Sequence, residues 1–187
     1  MAIVSSIVEK SNAGLFENEI EFNGKYATIV RHLKNDLNLF TTFREAYVTA
    51  AIVGLLNGKK GSPSTEDTKD NASIFPNELS KRKPDLRFLY RIIMLVDDVP
   101  GYSIDDYMNR AFRFDSEDED GAKLKENMAL FHSYVCGGLD FLNDKFGNLD
   151  RIDDVTDTLY EWVHSIIDDL GYGSAPEELP IFAPIFD

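Results

Sequence analysis

The sequence predicts a mainly α-helical protein, a single-domain bundle of about six to seven helices with a long irregular stretch near residues 59–84 and an irregular C-terminal tail. Three observations carry that prediction. Apolar residues recur at spacings of three and four through most of the chain, the period of one helix face. Capping signals stand where those runs begin and end. Apolar residues make up 43% of the chain and aromatics 12%, enough to build a core in spite of a net charge of −14.

The first periodic run spans Lys25 to Leu39, with Tyr26, Ile29, Val30, Leu33 and Leu37 on one side. Thr42 opens the second, three residues before Glu45, the spacing of a capping box. Its body is apolar around most of its circumference, which predicts a central helix. Ala50, Ala51 and Gly54 would let neighbouring backbones approach closely, and Asn57-Gly58 is the stop. From Lys59 to Pro84 the chain is polar and carries three prolines, so one long irregular, mobile connection is expected there.

Pro84 suits a helix first turn, and Leu86, Phe88, Leu89, Ile92, Ile93, Leu95 and Val96 follow as an apolar run. A buried strand over 86–96 would leave the same pattern; we read it as helix. Ser103 precedes Asp105 and Asp106 as a helix start, with Ile104, Tyr107, Met108, Ala111 and Phe112 as the expected inward face. A fifth helix runs through Leu124, Met128, Phe131, His132 and Val135, and Gly137-Gly138 is expected to end or kink it before a short helix closed by Gly147. In the last helix Val155, Leu159, Trp162, Val163, Ile166 and Leu170 make one stripe, with Gly171 at the C-terminal cap. We therefore expect a helical domain over residues 1–170, with 59–84 as the place where it would subdivide. A Pro/aromatic tail over 171–187 would dock on the domain or on a partner through Ile181, Phe182, Ile185 and Phe186.

The charge is divided near the middle of the chain. Residues 1–94 carry 13 Lys/Arg against 11 Asp/Glu, and residues 95–187 carry 6 against 22. Such a field repels nucleic acid and attracts basic partners. The densest acidic run, Asp115, Glu117, Asp118, Glu119 and Asp120, is the expected partner-binding patch. Lys59, Lys60, Lys81, Arg82 and Lys83 bracket the long connection and are the only basic concentration, the place where direct phosphate contact would occur. A single cysteine, Cys136, permits no internal disulfide. The N-terminus lacks a basic, apolar leader and no stretch of about 18 apolar residues occurs, so a soluble cytoplasmic protein without membrane contact is expected.

Candidate chemical sites weaken on inspection. Glu161 and His164 have the Glu-x-x-His spacing of a di-iron half-site, and Asp157 and Asp168 extend the row. That row points roughly 200° from the apolar stripe of its own helix, which predicts a wet face, with Glu161, His164 and Asp168 as weak metal candidates. Asp115 to Glu126 imitates a calcium loop, yet no single register gives both glycine at position 6 and glutamate at position 12. His132 and Cys136 are four apart, the spacing of a thiolate–imidazole pair, but a buried core cysteine fits better. Acid pairs such as Asp97-Asp98 invite a metal-dependent nuclease or phosphatase reading and fit helix starts and wet faces equally well. No phosphate-binding or nucleophile motif is present, and no cofactor is expected.

Two segments, FREAYVTAAIVGLLNGKKG from Phe43 and YVCGGLDFLNDKF from Tyr134, resemble parts of small helical accessory proteins of bacterial DNA phosphorothioation and phage-defence loci. The resemblance implies a bacterial accessory subunit working with larger DNA-processing partners and carries over no functional residue. The sequence thus points to a non-enzymatic protein–protein interaction subunit or regulator. The alternatives are an acidic DNA mimic that blocks a DNA-binding enzyme, and a metal-dependent enzyme. Oligomeric state is left open.

Overall fold

The computed structural model describes residues 7–9, 14–62, 71–114 and 117–171, with the backbone alone for 7–9 and 117–120. The protein is mainly α-helical, with seven α-helices among the described residues. They are α1 (Lys25–Arg31), α2 (Phe43–Leu56), α3 (Pro76–Ser80), α4 (Lys83–Val96), α5 (Ile104–Phe112), α6 (Glu117–Phe146) and α7 (Ile152–Asp169). The chain divides into two compact units, residues 1–148 and 149–187. That boundary lies inside the stretch read from sequence as one helical domain.

A small antiparallel sheet, which helical periodicity did not reveal, joins the helices of the first unit. Its strands are β1 (Ile7–Glu9), β2 (Ile20–Asn23) and β3 (Asn71–Ile74), in the order β1-β2-β3. Ile20 pairs with Ile74 and Phe22 with Ala72, and all four side chains are buried, so one face of the strands is apolar at period two. Strand β3 and helix α3 both lie within the 59–84 connection, which is therefore only partly irregular. Residues 63–70 lie outside the described part.

The caps explain where the helices start. Thr42 Oγ1 accepts from the Glu45 amide at 3.1 Å, and Glu45 Oε2 accepts from the Thr42 amide at 3.2 Å, closing the predicted box. Ser103 and Asp106 form the same arrangement at the start of α5. Helix α1 ends earlier than the Lys25–Leu39 run suggests, passing into a π-helical turn at His32–Asp36 that keeps Leu33 and Leu37 buried. Residues 86–96 are helix, not strand.

Gly137 and Gly138 do not break α6, which runs through them as one helix of 30 residues. They serve packing instead. A Cβ on Gly138 would collide with the Ala50 carbonyl of α2, one on Gly54 with the Tyr134 carbonyl of α6, and one on Gly137 with the Lys59 carbonyl. Bare backbone on each side lets α2 and α6 touch without intervening side chains. The cost of glycine in a helix, about 1 kcal/mol each, is offset by that contact. Beside this seam lies an aromatic core in which Phe131 meets Phe16 and Tyr47 at 5.6 Å and Tyr90 at 6.3 Å between ring centroids.

In the second unit, α7 ends as expected at Gly171, whose φ of 77° allows its amide to reach the Asp168 carbonyl at 2.9 Å. The apolar stripe read from its spacing is only partly buried. Val155 is buried and Trp162 and Ile166 are half-buried, whereas Leu159, Val163 and Leu170 are exposed. The tail residues Ile181, Phe182, Ile185 and Phe186 lie outside the described residues.

Candidate functional site

The C-terminal end of α2 sets the geometry of the largest polar cluster. Gly58 adopts φ 59°, its amide reaches the Leu55 carbonyl, and the Lys59 amide reaches the Gly54 carbonyl at 2.8 Å. This pair of bonds is a Schellman motif, and the glycine is needed for the left-handed turn. It lays the next residues along α6, where the Gly61 amide donates to the Ser133 carbonyl at 2.7 Å. Lys59 then pairs with Asp144 at 3.2 Å. Lys60 passes over the Tyr134 ring and pairs with Asp97.

Asp97 is 3% exposed at the end of α4. Besides Lys60 it receives the Tyr134 hydroxyl at 2.6 Å and Arg110 Nη2 of α5 at 3.2 Å. Burial by itself would raise its pKa, but hydrogen bonds from Lys60, Tyr134 and Arg110 and the Lys60 charge outweigh it, and the carboxyl is held below its ordinary range. Burial and the Asp97 carboxylate push the Tyr134 phenol upward. Both Asp97 oxygens accept from donors of the protein's own chain, Oδ1 from Lys60 and Tyr134 and Oδ2 from Arg110. The cluster ties the ends of α2 and α4 to α5 and α6 as a structural lock.

Asn127 extends it, donating to the Tyr90 hydroxyl at 2.9 Å and to the Arg110 carbonyl at 3.2 Å. Asp98, next to Asp97 in the chain, is exposed, so these two acids do not form a paired site.

The spacing of His132 and Cys136 does not make a thiolate–imidazole pair. His132 Nε2 lies 3.0 Å from the Tyr47 hydroxyl, and burial lowers its pKa to about 4, which keeps the ring neutral. Burial pushes the Cys136 thiol up to about 12, and it bonds with Tyr26, itself hydrogen-bonded to Asp140 at 3.0 Å. A buried thiol whose pKa is raised is a core residue, as its spacing beside two glycines suggested.

Asp157, Glu161, His164 and Asp168 are exposed on α7, and the His164 ring lies tilted against Tyr160 with centroids 4.2 Å apart. Among the described residues no group of three or more His, Cys, Asp or Glu side chains could hold a metal ion. Glu117, Asp118, Glu119 and Asp120 form the first turn of α6, where acids suit the helix dipole, and this helical backbone is not a calcium loop. Asp115 lies outside the described residues.

The basic residues do not gather into one patch. Lys59 and Lys60 are engaged with Asp144 and Asp97, while Lys81, Arg82 and Lys83 stand at the start of α4. There Arg82 meets Asp85 at 3.3 Å and Lys83 meets Glu17. The second group instead continues along α4. Lys83, Arg87 and Arg91 line a groove of about 670 Å³ together with Ser80, Pro84 and Phe88. Arg87 and Arg91 were missed because each is a lone cation in the sequence; their succession at intervals of four after Lys83 was the available signal.

Helix α5 is turned relative to expectation. Tyr107 is half-buried, donating to the Val99 carbonyl at 3.4 Å, and Arg110 and Ala111 are buried, because the Arg110–Asp97 pair anchors that side. Ile104, Met108 and Phe112 consequently form an exposed stripe, with Ile104 at 82% exposure. The Arg91 guanidinium lies 4.9 Å from the Phe112 ring centroid, which joins the stripe to the α4 groove. Phe88, 67% exposed, borders it. This face of α4 and α5 is the candidate functional surface.

No described helix is long and apolar enough to cross a membrane. Comparison with protein-family models, with curated proteins and with solved structures gave no match.

Proposed function

We infer that the chain is a protein-binding subunit that holds its partner through the face of α4 and α5. The observation carrying this reading is the exposed stripe of Ile104, Met108 and Phe112 beside Phe88. Exposed apolar groups that are contiguous and rimmed by charge mark an interaction surface, and covering them yields about 25 cal/mol per Å². The stripe is fixed from behind by the Asp97–Arg110 pair, so it is presented on a rigid helix and little ordering cost attaches to binding.

The setting we propose is a cytoplasmic bacterial assembly for DNA modification or phage defence. Its support is the resemblance of the two segments beginning at Phe43 and Tyr134. Those segments fall on α2 and α6 and meet each other at Gly54 and Gly138.

Co-purification from the native host at moderate salt tests the reading. The wild-type chain should bring down a partner in stoichiometric amount, and the double variant Ile104→Asp/Met108→Asp should lose it. Recovery of a monomer alone, or retention of the partner by the variant, would overturn the assignment of this face.

A further inference from the structure

We propose that the outer face of α7 docks a basic amphipathic segment of a protein partner. This goes beyond the reading above: it concerns the second unit and shares no residue with the face of α4 and α5. An isolated helix of 18 residues is marginal in water unless an apolar face is packed on something. One side of α7 is packed in this way. Val155 is buried there and Trp162 and Ile166 are half-buried, whereas Ile152, Leu159, Tyr160, Val163, Ile167 and Leu170 are exposed. At about 100° per residue these six fall within an arc of about 100°, so they form one continuous strip along the helix. Contiguous exposed apolar groups mark a binding surface.

Charge selects the occupant. Helix α7 carries six acids and neither lysine nor arginine. Asp157, Asp168 and Glu161 follow the strip on its Tyr160 side, beginning about 60° beyond that ring. All three are exposed, and among the described residues none makes an ion pair or a side-chain hydrogen bond. Of the six acids only Asp153 is paired, with Arg151 at 3.4 Å. These carboxylates are therefore open to a cation from outside. A second copy of α7 would set six more acids against them, and residues 172–187 of the same chain bring Glu177, Glu178 and Asp187 with no cation, so like charge opposes both. Helices that lie in a membrane surface carry Lys and Arg on their polar face, and nucleic acid repeats the wrong sign. A helix with Lys or Arg at four-residue intervals beside an apolar edge matches both parts of the face.

The test is fluorescence anisotropy on the full chain with a labelled synthetic peptide of about four helical turns, carrying Leu along one edge and Lys at every fourth position beside it. A scrambled peptide of the same composition measures attraction to net charge alone, and a twin has each Lys replaced by Glu. The amphipathic basic peptide should bind about tenfold or more tighter than either and weaken as salt rises. Tyr160→Ser/Leu170→Ser should weaken it by about tenfold, and Asp157→Lys/Glu161→Lys should reverse the preference in favour of the Glu twin. Tyr160 and Leu170 are each 66% exposed, and Asp157 and Glu161 are exposed with them, so both variants keep the fold.

Equal binding of the scrambled peptide, unchanged binding by either variant, or no binding would overturn the proposal. So would a dimer in sedimentation that Tyr160→Ser/Leu170→Ser dissolves, because a second copy would then cover the strip. Ile104→Asp/Met108→Asp should leave peptide binding within about twofold of wild type. Loss of the peptide with that variant would place it on the face of α4 and α5, ending this inference and leaving the earlier reading intact. If co-purification returns a monomer alone while the peptide results hold, the earlier reading falls and this one stands.

Discussion

Helices α2 and α6 meet backbone to backbone at Gly54 and Gly138, whereas α4 and α5 leave Phe88, Ile104, Met108 and Phe112 facing water. Both regions come from segments rich in apolar residues at helical spacing. The seam of α2 and α6 is closed by removing side chains, and Tyr47, Phe131 and Val135 beside it are buried. The face of α4 and α5 is held from behind by the Asp97–Arg110 pair and the hydrogen bonds around it, with its large groups outside. Close packing tolerates no added volume, while a surface stripe tolerates almost any change. Sensitivity to substitution should therefore separate the two regions sharply, and that separation can be measured.

The largest effect is expected at the seam. Gly138→Val places branched carbon where the Ala50 carbonyl lies, and neither helix backbone can yield without opening the whole contact. We expect a loss of about 4 kcal/mol or more, read as failure to fold or as a collapse of the urea midpoint. A loss under about 1 kcal/mol would show that α2 and α6 are able to slide, and the contrast with α4 and α5 would disappear.

Asp97 joins the two regions, and its removal measures how far the face depends on the seam. Asp97→Asn leaves Arg110 buried beside a neutral group, at a cost of about 3 kcal/mol in urea unfolding. Lys60 reaches Asp97 from a half-exposed position, so Lys60→Met should cost about 1 kcal/mol or less by the same measurement. Equal effects would mean that Lys60, not Arg110, anchors this corner.

The same corner marks where sequence reading stops. Thr42 with Glu45, Ser103 with Asp106 and the stop at Gly171 were legible because each is a local signal within a few residues. Asp97 draws on Arg110, Tyr134 and Lys60, residues 13 or more positions away, and no period in the sequence links them. Gly137-Gly138 reads as a break because propensity knows only its own helix. In the fold Gly138 is explained by a different helix, α2, and Gly137 by the Lys59 carbonyl just beyond it. The inward face of α5 failed for a related reason: Arg110, a charged residue, is the anchor, and it turns Ile104, Met108 and Phe112 outward. In α7 periodicity identified a stripe correctly and had no means of saying whether anything covers it.

The pH dependence sharpens the comparison from the side of the seam. His132 titrates at about 4 in the fold because burial disfavours its charge, against about 6.5 when unfolded. Between these values the unfolded chain binds the extra proton, so stability is present above about pH 6.5 and is lost as pH falls toward 4. The loss should reach about 2 to 3 kcal/mol near the lower end, measured by urea unfolding across that range. His132→Gln should flatten the slope. Asp97, held below its ordinary range, adds its own loss only at lower pH, so the two windows separate. A wild-type profile flat between those limits would mean that the ring is hydrated and the seam looser than its packing implies.

The smallest effect is expected on the open face. Ile104 is 82% exposed and Met108 is exposed with it, so Ile104→Asp/Met108→Asp removes little buried area and strands no polar group. Of the two new acids, the one at position 104 falls in the first turn of α5, which already carries Asp105 and Asp106 and where the dipole accepts negative charge. Unfolding free energy should change by no more than about 0.5 kcal/mol. A loss of about 2 kcal/mol or more would place these side chains in the protein's own core and remove the basis for a partner. Stability held while a partner is lost is the combination that a structural role cannot produce, because a residue that only supports the fold transmits its loss through the fold.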